Sequence, residues 1–153
     1  MNKKDLKRVM QLAESLCNER GVRLTSQRKA VLQMLLESEK PLSAYDLLDQ
    51  MRQVLKKPAP PTVYRALDFL LEQGLAHKIE SIHAYVGCVH PEHPHASQFL
   101  ICADCGEVAE VEDKTITQSL ENAGKAIGFN TTHPVVELMG TCADCTAKKS
   151  DEP

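Results

Sequence analysis

The sequence predicts an α+β protein made of two small domains, and three observations carry that prediction. The first half holds stretches with apolar residues at helical spacing, followed by two short strand-like runs. The second half reads as strands around one helical stretch. The tetrapeptide CADC stands twice, at Cys102–Cys105 and at Cys142–Cys145. Charge divides the chain in the same way. Residues 1–80 carry 14 Lys and Arg against 10 Asp and Glu, and residues 81–153 carry 4 against 11. A mildly basic half joined to an acidic one suggests two domains with different partners.

Taken in order, residues 4–20 place Leu6, Val9, Met10, Ala13, Leu16 and Cys17 on one helical face, and Gly21 ends that helix. Thr25 caps a second helix, SQRKAVLQMLLES, with Val31, Met34 and Leu35 inward. Ser43 caps a third, AYDLLDQMRQVL, whose core face is Leu47, Leu48, Met51 and Leu55; Tyr45, Asp49 and Arg52 face away. KKPAPP is a stiff break that no helix crosses. In the fourth helix, TVYRALDFLLEQG, Thr62 is the expected cap and Gly74 the stop, with Thr62, Tyr64, Arg65 and Asp68 on the outer side. LAHKIE and AYVGCV then read as strands around the turn SIH. Short helices followed by a β-hairpin are the pattern of a winged helix-turn-helix, whose exposed helix start faces DNA. In the second half, SQFLICADC and CGEVAEVED read as a hairpin, residues 114–127 as a helix, and NTTHPVVELMG as a further strand. AKKSDEP reads as a frayed tail.

Each CADC could be a redox dithiol, half of a disulfide pair, or half of a metal site. The N-terminus is charged and amphipathic and lacks the apolar core of a secretory signal. No apolar run approaches the roughly 18 residues of a membrane span. The expected address is therefore cytoplasmic, where thiols stay reduced and disulfides are disfavoured. A redox C-x-x-C belongs at the start of a helix in a βαβ setting, whereas each pair here follows a strand. Zinc takes four thiolates in a tetrahedron, and C-x-x-C supplies two from one turn. We therefore expect one structural zinc on Cys102, Cys105, Cys142 and Cys145, tying the end of the chain to its middle.

Cys17 reads as a small buried apolar residue, and His83 as a solvated wing-tip residue. His77, Cys88, His90, His93 and His95 cluster at the junction of the two halves, which points to a second metal site. Enzyme chemistry finds no support. Neither C-x-x-C has the proline that precedes it in zinc deaminases, and G-x-S-x-G, phosphate-loop and G-x-G-x-x-G motifs are absent.

RLTSQRKAVL, PPTVYRALDFLLEQGL and the paired C-x-x-C resemble the ferric uptake regulator family of metal-responsive repressors, in order over residues 20–145. SAYDLLDQMR and the placing of His77 and Cys88 are most similar to its zinc uptake regulator branch. Where the iron-sensing branch carries His-His-Asp-His, this chain has HPEHPH. The resemblance implies a winged-helix DNA-binding domain over 1–82, a hinge at 83–90, and a small α/β dimerisation and metal-binding domain over 91–153. It implies a regulatory metal on His77, Cys88, His95 and Glu110; the loop CVHPEHPH departs most from the family pattern, and its His90 or His93 is read as a substitute or accessory ligand. That donor set suits Zn²⁺ better than six-coordinate iron, giving two zincs per chain. The implied function is a zinc-responsive homodimeric repressor on a pseudo-palindromic operator; the alternative is an iron- or peroxide-responsive member of the same family. On DNA, Arg65 is the expected base reader, because a guanidinium pairs bidentately with guanine. Tyr45, Tyr64 and Thr62 would lie beside it, and Arg23, Arg28, Lys29 and Lys57 on the phosphates.

Overall fold

Amphipathic periodicity at the start of the chain becomes four helices: α1 (Lys3–Glu19), α2 (Ser26–Glu37), α3 (Ala44–Val54) and α4 (Pro60–Glu72). The structure is a computed structural model and describes residues 3–92, 95–132 and 134–150. It divides into two compact units, Met1–Pro94 and His95–Pro153.

In the first unit the apolar stripes of all four helices meet in one core, built around residues such as Ala13, Val31, Leu47, Met51 and Leu70, each wholly buried. Met34 and Leu55 pack at its edge, and Leu32 and Leu36 fill positions that the sequence reading did not assign. Thr25 accepts a hydrogen bond from the Arg28 amide at the head of α2. Ser43 and Asp46 form a reciprocal capping box on α3, with bonds of 3.1 and 2.8 Å. The Ser43 hydroxyl also donates to Asp46, and these bonds hold its carboxyl below the usual range.

The head of α4 differs from the expectation. The helix begins at Pro60, so the last two residues of KKPAPP open it, and Ala59, not Thr62, is the capping position. The Thr62 amide already bonds the Ala59 carbonyl at 2.9 Å. Proline fits the first helical positions because its fixed φ suits the helix and its missing N–H would be unsatisfied there anyway. Gly74, at φ +67°, ends the helix as expected.

Strands β1 (Ala76–Ile79) and β2 (Ala84–Gly87) form the antiparallel wing, with His77 opposite Val86. Leu42 adds a short bridge to Tyr85 on the other edge. Gly87 is required by proximity: a Cβ there would lie 2.6 Å from the Leu36 Cδ2 and 3.2 Å from its backbone nitrogen. Gly87→Ala is therefore expected to push β2 away from α2 and to destabilise the unit by about 1–3 kcal/mol, read by denaturant unfolding.

The second unit is a three-stranded sheet ordered β4 (Val108–Val111), β3 (Gln98–Cys102), β5 (Val136–Gly140), with helices α5 (Lys114–Ala126) and α6 (Ala143–Ser150). β3 pairs antiparallel with β4 and parallel with β5. Phe99 and Ile101 are buried; on the opposite face, Ala109, Leu100 and Leu138 stand side by side and exposed. Gln98 is buried and fully bonded: it donates to the Ala96 carbonyl (2.9 Å) and the Thr117 hydroxyl (3.2 Å) and accepts from the Asp113 amide (2.8 Å). It thereby locks the start of α5, capped by Asp113, to β3. Of the expected frayed tail, residues 147–150 are instead helical, as the end of α6, and residues 151–153 lie outside the described residues. No helix among the described residues is long and apolar enough to cross a membrane.

Candidate metal centres and nucleic-acid face

The parallel register of β3 and β5 sets Cys102 opposite Gly140, two residues before the second cysteine pair. The Ala103 amide extends this pairing by donating to the Gly140 carbonyl at 2.8 Å. Between β3 and β4 the chain turns tightly at Gly106, at φ +75°, and the Gly106 amide closes on the Cys102 carbonyl at 2.9 Å. Cys105 is presented by that turn, Cys142 by the residue just before α6, and Cys145 by the first turn of α6. The four sulfurs lie within 4.8 Å of one another, with Cys105 and Cys142 at 3.8 Å. A tetrahedral zinc with Zn–S bonds near 2.3 Å requires sulfurs about 3.8 Å apart, so the cluster fits that ion. All four are free thiols, and no disulfide forms among them.

Hydrogen bonding differentiates the sulfurs. The Cys142 amide donates to Cys102 Sγ at 3.3 Å; this bond, followed by that of the Cys105 amide, holds the Cys102 thiol down at about 6. Cys145 is pushed up to about 12, chiefly by its hydrogen bond to Cys142. A sulfur that is readily ionised beside ones that hold their protons is a set that must release protons to take a metal. An ion pair clasps the outside of the site: Lys149 on α6 reaches Asp104 in the first CADC at 2.9–3.0 Å. The sequence reading missed this clasp because it assigned no helix there.

The residues expected to form the second site fall into two pairs, one in each unit. In the first unit, His77 and Cys88 offer donor atoms within 4.8 Å of each other. The Cys88 amide bonds the Leu75 carbonyl at 2.9 Å, which extends the wing ladder and sets Cys88 diagonal to His77 on one face. Cys88 is buried, at 1% exposure. In the second unit, His95 Nε2 lies 3.1 Å from Glu110 Oε1, and Ser97 donates to that same oxygen. For zinc at about 2.0–2.2 Å from nitrogen and oxygen, tetrahedral ligand edges are about 3.3–3.5 Å. The His95–Glu110 pair is close to that spacing. His90 is exposed, 3.3 Å from Glu92; His93 lies outside the described residues.

On the first unit's surface, Tyr45 at the head of α3 is 77% exposed and Tyr64 on α4 is 47% exposed; Arg65 is exposed beside it and Thr62 half-buried. Of the expected phosphate contacts, Lys29 is paired with Glu14, and Arg28 stacks 3.7 Å over the Phe69 ring while donating to the Arg23 carbonyl at 2.7 Å. Both therefore have internal partners within the helical core's rim. Arg23 and Lys57 are exposed, Lys57 with a left-handed φ of 58°.

The chain is similar to known proteins over most of its length. The sequence model of the ferric uptake regulator family matches residues 19–139. The chain is 42% identical to the zinc uptake regulation protein of Escherichia coli (strain K12), over 95% of this chain and 85% of that protein. Among solved structures it is similar to a zinc uptake regulator complexed with zinc and DNA, with a TM-score of 0.92, 41% identity, and coverage of 95% of this chain and 97% of that one. It is also similar to holo XcZur, with a TM-score of 0.84, 45% identity and coverage of 90% and 96%. A buried four-helix core with a wing, a sheet carrying four converging cysteines, and these likenesses lead to one conclusion: the chain belongs to the ferric uptake regulator family.

Proposed function

We propose that this protein is a zinc-responsive transcriptional repressor of the cytoplasm, acting as a homodimer on a pseudo-palindromic operator of zinc-uptake genes. The observation that carries the reading is the donor chemistry: a thiol and an imidazole (Cys88, His77) in the first unit, an imidazole and a carboxylate (His95, Glu110) in the second, and a separate cluster of four cysteines. Two zincs per chain follow, one structural and one regulatory on His77, Cys88, His95 and Glu110. When bound, zinc supplies a rigid tetrahedral link among its donors and no redox chemistry. His77 contributes from strand β1 of the DNA-binding domain (1–82), and Cys88 from the hinge segment (83–90), directly after strand β2. His95 and Glu110 contribute from the domain over 91–153. His90, with His93, is assigned an accessory metal role.

A dimer reads two half-sites only when its recognition helices match the groove spacing. Joining the two donor pairs restricts that spacing. Moving a two-state equilibrium from 1:99 to 99:1 takes about 5.5 kcal/mol of differential binding, whereas zinc–peptide sites reach about 10–16 kcal/mol. Partial coupling is thus enough. The exposed row Ala109, Leu100 and Leu138 supports pairing of two copies through the sheet.

On DNA, Arg65 reads bases, with Tyr64, Tyr45 and Thr62 around it, while Arg23 and Lys57 hold phosphates. Arg28 and Lys29 contribute there only by exchanging their internal partners. Arg65→Ala is expected to lower operator affinity by about 5–150-fold, from a loss of about 1–3 kcal/mol per guanine contact, and to leave zinc content unchanged. Competition binding against non-specific duplex checks this, and retained operator preference would contradict it. The reading as a whole is tested by counting zinc per chain on reduced protein before and after a mild chelator. A fall from two to one supports it, and a single zinc that never exchanges counts against it.

A further inference from the structure

Ser97 belongs to none of the donor sets above, yet its hydroxyl donates to Glu110 Oε1, the oxygen that lies 3.1 Å from His95 Nε2. The sheet register explains the approach. Phe99 faces Glu110 and Gln98 faces Val111, so Ser97, one step before β3, is the diagonal neighbour of Glu110. Its backbone is held in turn, because buried Gln98 ties the Ala96 carbonyl on one side to the Asp113 amide and the Thr117 hydroxyl on the other. A glutamate at the end of three rotatable bonds, with a side chain 26% exposed, would otherwise sample several rotamers. Glu107 and Glu112 lie close by in the same stretch and offer the same chemistry. The serine bond is what distinguishes Glu110 from them.

We propose that Ser97 is a positioning residue of the regulatory zinc site, fixing the Glu110 carboxylate beside His95 and so setting the affinity at which zinc is sensed. The inference rests on the regulatory-site reading above. Hydrogen bonds to a ligating carboxylate fix its orientation, and losing such a partner typically weakens metal binding about 10–100-fold. Serine suits the task because a hydroxyl donates without adding charge, whereas a lysine or arginine here would compete with the cation.

The test is competition between the protein and a zinc chelator of known affinity, with absorption of the cobalt(II)-substituted protein as a second readout. Ser97→Ala is expected to weaken the exchangeable site by about 10–100-fold, to keep the chelator-resistant Cys₄ zinc, and to change the cobalt spectrum. Ser97→Thr, which keeps the hydroxyl, should restore both. In a Glu110→Ala background Ser97→Ala should add nothing, since coupled residues are non-additive. Unchanged affinity in Ser97→Ala, or an equal loss with and without Glu110, would overturn the proposal. Wild-type protein that takes up one zinc only would instead overturn the regulatory-site reading, and that result appears before any substitution is made.

Discussion

Cys145→Ser is expected to strip the chelator-resistant zinc and to unfold the second unit while leaving the first folded. The reason is how little apolar core the second unit has. Among its described residues only Gln98, Phe99, Ile101 and Cys102 are buried, and neither α5 nor β5 carries a buried side chain. Units below roughly 70–80 residues rarely gain more than about 3–5 kcal/mol from a core alone. Structural zinc contributes about 10–16 kcal/mol in peptide sites, and in such systems its binding energy is folding energy. Removing one sulfur leaves the knuckle at Cys102–Cys105 and the start of α6 without their common tie. The Asp104–Lys149 clasp does not replace it, because exposed pairs stabilise by about 1 kcal/mol or less. The first unit has its own core and should melt separately. Metal analysis, together with amide hydrogen exchange in β3 and α5, measures the effect. A second unit that keeps its protection without zinc would contradict the account.

Cys88→Ala should have the opposite profile: a folded protein that no longer responds. Cys88 is small and buried at the end of the wing ladder, so an alanine fits the space with a modest loss of packing. Its sulfur, however, is the one soft donor of the proposed regulatory set. Without it two imidazoles and a carboxylate remain, a set that holds zinc more weakly and favours harder ions. The expected result is one zinc per chain after mild chelation, as in the wild type, but no uptake of the second in micromolar zinc and no zinc-dependent DNA binding. Far-UV circular dichroism and the melting of the first unit should stay near wild type. Zinc-dependent binding that survives in Cys88→Ala would remove this residue from the site.

Much of this was legible in the sequence because the physics is local. The helical stripes, the capping by Thr25 and Ser43, and the glycine stops at 21 and 74 depend on residues a few positions apart. The two CADC pairs were legible for a different reason: four identical soft donors permit few arrangements. What escaped is mostly a matter of boundaries and of contacts across the sheet. The head of α4 was misplaced because proline was read only as a helix breaker, although it also starts helices. α6 was missed because its short, polar sequence gives no apolar stripe; in the fold it continues directly from the second cysteine pair. Ser97 and Gln98 act on partners more than ten residues away, through a register that single-residue patterns do not reveal. Arg28 and Lys29 looked like free surface charge until Phe69 and Glu14 came beside them.

Zinc control of DNA binding is measured by following binding as a function of buffered free zinc at fixed salt. The probe is a duplex selected from a random-sequence library by the zinc-loaded protein. The expected result is a two-fold symmetric selected sequence, and binding that rises together with uptake of the second, exchangeable zinc. Binding that is already complete with the structural zinc alone, or that shows no preference for sequence at any zinc level, would contradict it.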